Sequence, residues 1–139
     1  MNEIILKGHK IVGGKAKGEA LVCNESMGFG GIVDIKTGTV ILKNHELEGA
    51  NIAGKILVYP TGKGSTASSF AIYQLAKNNM APKGIINVRA DPVTVIGAII
   101  SNIPMVDQLD QDPTKIIKAG DYLELDGDEG TVKIINGRG

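Results

Sequence analysis

Over the first sixty residues the apolar positions come in short runs, Ile4–Leu6, Ala16–Val22, Gly31–Asp34 and Thr39–Leu42. Turn-forming segments such as Gly13-Gly14 and Lys36-Thr37-Gly38 separate them, and none has a helical period of useful length. This part therefore reads as β structure. At Lys55 the style changes. Ile56-Leu57-Val58-Tyr59 is a continuous apolar run, as expected of a strand covered on both faces. Pro60-Thr61-Gly62-Lys63-Gly64 breaks it, and from Ser65 to about Asn79 the residues Ala67, Phe70, Ala71 and Leu75 mark one face of a helix.

A second strand is predicted at Gly84–Val88. Asp91-Pro92 then sets an N-cap before a proline at the first helical position, opening a helix through about Ser101. Pro104-Met105-Val106 reads as a third short strand, and Asp112-Pro113 opens a short helix ending at Gly120. Tyr122–Leu125 and Thr131–Ile135 form a hairpin around Asp126–Gly130. The predicted class is α/β: a β-rich start, a central β-α-β-α-β and a closing hairpin, in one domain over residues 1–139 with 136–139 as a frayed tail.

Composition narrows the function. At 139 residues the chain suits one domain, burying roughly 70% of its unfolded surface. Fifteen basic and fifteen acidic residues cancel, and aromatics are few, so nucleic acid is not an expected partner. The lone Cys23 excludes an internal disulfide, points to a reducing cytoplasm and cannot by itself hold an iron–sulfur cluster. Apolar runs such as Val93–Ile100 are too short to span a bilayer, and the N-terminus lacks the layout of a signal peptide. The expectation is a soluble cytoplasmic protein.

The segment Pro60-Thr61-Gly62-Lys63-Gly64-Ser65-Thr66 lies between a buried strand and a helix start. Glycines there let backbone approach a ligand, and the free N–H groups of a helix N-terminus favour an anion. Lys63 adds positive charge, and Ser65 and Thr66 add hydroxyls. A phosphate-binding P-loop is excluded, because Gly64 and not a hydroxyl residue follows Lys63. A dinucleotide fingerprint is matched by Gly62-x-Gly64-x-x-Ala67, but no carboxylate precedes Asp91 where a ribose would need one. A plain N-cap role for Ser65 stays open beside it.

Other polar residues have ordinary readings. His45 reads as a surface or turn residue, His9 as incidental, and Cys23 as a small buried side chain at a strand end. Asp91 and Asp112 read as helix caps. Asp126, Asp128 and Glu129 lack the ligand spacing of a calcium loop and read as a hairpin turn. No metal site is expected on this chain.

The string Gly54-Lys55-Ile56-Leu57-Val58-Tyr59-Pro60-Thr61-Gly62-Lys63-Gly64-Ser65 resembles the signature of the small subunit, or swivel domain, of aconitase X proteins. Gly18-Glu19-Ala20-Leu21-Val22, Gly30-Gly31, Thr37-Gly38, His45-Glu46-Leu47-Glu48-Gly49, Ala81-Pro82-Lys83-Gly84-Ile85-Ile86 and Ala90-Asp91-Pro92 extend it. Ile103-Pro104-Met105-Val106-Asp107 and Asp126–Gly130 complete it over nearly the whole chain. Two departures stand out: Lys63 where many relatives carry arginine, and Gly30-Gly31-Ile32-Val33-Asp34 one residue longer than the corresponding stretch, which touches the role of Asp34.

The resemblance implies a swivelling β/β/α domain working as a heterodimer with a large subunit that carries the iron–sulfur cluster (4Fe-4S), none being bound by this chain. It implies a dehydratase acting on a small phosphorylated hydroxy acid. Water would be removed from (R)-5-phosphomevalonate to give trans-anhydromevalonate 5-phosphate, on a modified mevalonate route to isoprenoids. The family's proton-accepting serine falls on Ser65, with Lys63, Gly64 and Thr66 beside it as candidate ligands for substrate anions. Dehydration of cis-3-hydroxy-L-proline is the alternative within the family. A non-catalytic module binding a phosphometabolite is the alternative outside it.

Overall fold

The computed structural model describes residues 2–136. Its elements run β1 (Asn2–Lys7), β2 (His9–Val12), β3 (Lys15–Val22), β4 (Ile56–Tyr59), α1 (Thr66–Lys77), β5 (Gly84–Asn87) and α2 (Pro92–Ile100). β6 (Met105–Asp107), α3 (Pro113–Ile116), β7 (Tyr122–Asp126) and β8 (Thr131–Asn136) follow. The strand order is β1-β8-β7-β3-β4-β5-β6-β2.

β3 serves two sheets. Its first part, Lys15–Glu19, pairs antiparallel with β7, and its last part, Ala20–Val22, pairs parallel with β4. Strands β3, β4, β5 and β6 are mutually parallel, with β2 antiparallel on the far edge.

Alternation along these strands sorts side chains into two cores. Ile56, Val58, Ile86 and Val106 meet Leu6, Leu123, Leu125, Val132 and Ile134 of the antiparallel sheet. Leu57, Tyr59, Ile85 and Met105 meet Ile72 and Leu75 of α1, Ala98 of α2 and the apolar residues between Met27 and Ile52. Each fully buried Leu or Ile stabilises by roughly 1.5–3 kcal/mol. The result is a sheet, a second sheet and a helical layer, the β/β/α arrangement anticipated above. The run Ile56–Tyr59 is apolar throughout because it lies between both cores.

Several expectations need correction. Gly31–Asp34 and Thr39–Leu42 are not strands. Only isolated bridges, Val33 to Val40 and Thr39 to Asn51, occur there. Asp34 instead organises a turn, its carboxylate accepting from Lys36 N–H at 2.9 Å. His9–Val12, unpredicted, is an edge strand whose register shifts between Lys10 and Val12. The third helix closes at Ile116, not near Gly120. β8 takes in Asn136, which pairs with Asn2, and residues 137–139 of the expected tail lie outside the described residues.

The buried face of α1 is also rotated. It carries Ser68, Ser69, Ala71, Ile72 and Leu75, whereas Ala67 and Phe70 are exposed. Both serines are paired and so tolerate burial. Ser68 Oγ accepts main-chain N–H groups, and Ser69 Oγ donates to Val93 carbonyl at 2.6 Å. α2 packs close alongside because Gly97 has no side chain, where a Cβ would stand 2.7 Å from Ile72 Cδ1. Among the described residues no helix is long and apolar enough to cross a membrane.

Candidate active site

The parallel strands end together at one edge, where open α/β sheets place their ligand sites. The Pro60–Ser65 connection leaves the central strand β4 there. It is stitched to the segment after β3 by two main-chain bonds, Met27 N–H to Thr61 carbonyl at 3.1 Å and Lys63 N–H to Met27 carbonyl at 3.0 Å. Gly28 lies flat against this seam, where a Cβ would stand 2.5 Å from Lys63 carbonyl oxygen.

Two glycines are required for different reasons. Gly64 has φ +117°, a conformation that side-chain-bearing residues rarely adopt. Gly62 is short of space: a Cβ would collide with Asp91 Oδ1 and lie 2.5 Å from Thr94 Oγ1. Gly62 is thus required by the packing of Asp91 and Thr94 against the loop, whatever ligand the loop takes.

Ser65 is the N-cap of α1, its Oγ accepting from Ala67 N–H at 3.3 Å. The first turn of the helix holds no acidic residue to oppose the positive potential of its N-terminus. Lys63, Gly64, Ser65 and Thr66 are all exposed and share this short arc. Lys63 forms no ion pair among the described residues. The four predicted site residues are therefore brought together by the loop, at an open edge and not in a closed pocket.

Beneath the loop lies a polar cluster that sequence reasoning missed. The Tyr59 phenol is fully buried against Thr94 and Asn87, with Asp91 nearby, and burial holds its pKa above the ordinary tyrosine value. Asp91 caps α2 through Thr94 N–H at 3.1 Å, as predicted, while its Oδ1 is buried without a hydrogen-bond partner. Ser68 was also missed. Its Oγ accepts from Phe29 N–H at 3.0 Å and Gly30 N–H at 3.3 Å, tying the glycine segment to α1. Two serines breaking an apolar helix face were the available signal.

The remaining polar residues have structural partners of their own. His45 is buried, not on the surface, and works as a turn residue: its Nδ1 accepts from Leu47 N–H at 3.0 Å, and its Nε2 stands 3.4 Å from Glu25. His9 is exposed, 3.9 Å from Asp107. Asp112 caps α3 through Thr114 N–H at 2.9 Å. Asp126 accepts from the N–H groups of Asp128 and Glu129, each at 3.0 Å, as a hairpin turn. Cys23 is buried at the end of β3, and burial pushes its thiol up to about 11. Among the described residues no His, Cys, Asp and Glu side chains gather into a metal-holding group.

Layering and serine loop together define a swivel-type β/β/α domain. The sequence pattern of the aconitase X swivel domain matches residues 5–134, and the chain belongs to that family. It is 51% identical to the phosphomevalonate dehydratase small subunit of Methanocella arvoryzae, over 93% of this chain and 98% of the relative. It is 50% identical to the protein of the same name from Thermococcus kodakarensis, over 94% and 96%. The crystal structure of Thermococcus kodakaraensis aconitase X in its holo-form superposes with a TM-score of 0.90 at 49% identity, covering 96% of this chain and 99% of that one.

Proposed function

We propose that the chain is the small subunit of a dehydratase that removes water from (R)-5-phosphomevalonate, with Ser65 as the base. The observation that carries this is the position of Ser65: exposed, capping α1, and directly following a lysine without an ion pair among the described residues and a positive-φ glycine. The names of relatives at about half identity supply the substrate.

The reaction takes a proton from C2 and a hydroxide from C3 of the hydroxy acid, leaving a C2–C3 double bond. A serine hydroxyl is a weak base, so its alkoxide must be stabilised. The helix N-terminus, Ala67 N–H and the Lys63 ammonium all act in that direction. Lys63 and Thr66 also meet substrate oxyanions, and Gly64 lets them approach the backbone. An iron–sulfur cluster, if bound by the large subunit, would supply Lewis-acid chemistry for the departing hydroxide. A single buried cysteine, Cys23, is too few thiolates for such a cluster, so this reading assigns it to the partner.

The test is reconstitution with the large subunit and assay on phosphomevalonate and cis-3-hydroxy-L-proline. Dehydration of the phosphorylated acid, absent from either subunit alone and lost in Ser65→Ala, supports the proposal. Turnover of hydroxyproline alone would replace the substrate. Tight phosphometabolite binding by this chain with no turnover in the pair would replace the enzyme reading altogether.

A further inference from the structure

The connection after β5, Val88–Asp91, runs beside the serine loop and is fixed on every side. Val88 N–H and Arg89 N–H both donate to Pro60 carbonyl, at 2.9 and 3.0 Å, at the start of that loop. Val88 carbonyl in turn accepts from Gln108 N–H at 3.0 Å. Ala90 N–H donates to the buried carboxylate of Asp107 at 2.8 Å, and the Asp91 carboxylate fills the space over Gly62. The backbone at Arg89 is thus pinned to both flanking strands. Its side chain is the exposed one of the four.

Arg89 is also the single arginine among the described residues, and its guanidinium makes no ion pair there. The fixed backbone spares the cost of ordering the loop, and the planar fork of the guanidinium suits two oxygens of one carboxylate or phosphate. Lys63, on the neighbouring loop, offers only a point charge. A phosphorylated hydroxy acid carries an oxyanion at each end, and Lys63 can neutralise only one of them.

Resting on the dehydratase reading, we infer that Arg89 is a second oxyanion-binding residue of the site, gripping the substrate's carboxylate or phosphate from the loop that flanks Pro60. It binds substrate and takes no part in proton transfer.

The experiment compares wild type, Arg89→Met and Arg89→Lys in the reconstituted pair. Losing a charge-assisted, two-pronged contact raises KM by about 10- to 100-fold in Arg89→Met while kcat changes much less, and Arg89→Lys falls between. Inorganic phosphate serves as a competitor. Weaker competition in Arg89→Met identifies the phosphate as the group held, and unchanged competition identifies the carboxylate. A KM within about twofold of wild type, or a loss confined to kcat, overturns the inference while leaving the dehydratase reading intact. A wild-type pair inactive on phosphomevalonate sinks that reading instead. Arg89 is then judged by titrating the full chain with inorganic phosphate and, separately, with acetate, and following main-chain amide resonances. Saturable shifts at residues 62–65 and 88–90 with either anion that vanish in Arg89→Met support the inference, and their absence in wild type with both overturns it.

Discussion

Ser68 lies three residues into the helix from Ser65, and its buried hydroxyl oxygen accepts the main-chain N–H of Phe29 at 3.0 Å, and that of Gly30 at 3.3 Å. The capping serine and the buried one thus divide the labour on α1. One faces solvent at the sheet edge, and the other anchors the glycine segment that walls the same edge.

Ser68→Ala removes this acceptor while keeping the Cβ, and leaves a buried N–H unpaired. The expected cost is about 1–3 kcal/mol of unfolding free energy, read as a lowered urea midpoint. Faster hydrogen exchange at the Phe29 amide checks that the loss is local to this contact. An unchanged midpoint would mean that water replaces the hydroxyl at no cost.

Gly62→Ala drives a methyl into Asp91 Oδ1 and Thr94 Oγ1. Overpacking of this kind costs about 1–3 kcal/mol and must displace either the loop or the start of α2. The expected result is a lower melting temperature together with loss of turnover in the reconstituted pair, although Ser65 itself is untouched. Full activity would show that the position of the loop over Asp91 does not matter to the serine.

Cys23 should be inert. With its thiol pushed from an ordinary value of 9.0 to about 11, chiefly by burial, little thiolate forms at neutral pH. Iodoacetamide should label the native chain far more slowly than the urea-unfolded chain at pH 8. The same shift carries a sign for stability. Between about pH 9 and pH 11 the folded thiol keeps its proton and the unfolded one releases it. Its contribution is therefore complete below pH 9 and is lost as pH rises through 11. Cys23→Ala should flatten stability against pH in that window.

What could be read from the sequence follows from where each residue's partners lie. Ile56–Tyr59 was legible because burial on both faces leaves a run with no polar position. Asp91-Pro92 and Asp112-Pro113 were legible because a cap and its target are three residues apart or fewer. The stretch from Met27 to Ile52 was not, since its order comes from irregular main-chain bonds, such as Val40 N–H to Ala50 carbonyl at 2.8 Å, and from turns closed by side chains, such as Asn51 Nδ2 donating to Thr37 carbonyl at 2.7 Å. Short apolar runs there imitate strands without pairing as ladders. Ser65 stood out through the glycines and lysine around it. The contact of Asp91 with Gly62, and of Arg89 with Pro60, exists only because β4 and β5 end side by side, which no local pattern records.

Ser65 has two roles that a single substitution to alanine confounds, since alanine removes both the cap and the hydroxyl. Glycine separates them. A capping serine replaced by alanine costs about 1 kcal/mol, whereas glycine at the same position costs only a few tenths. Ser65→Gly should therefore melt close to wild type and Ser65→Ala somewhat lower, both still binding the large subunit. If the hydroxyl is the base, the two variants should share the same loss of kcat, about 10²- to 10⁴-fold, despite their different stabilities. If Ser65 serves only to begin the helix, activity should instead track the melting temperature, and Ser65→Gly should turn over substrate nearly as fast as wild type.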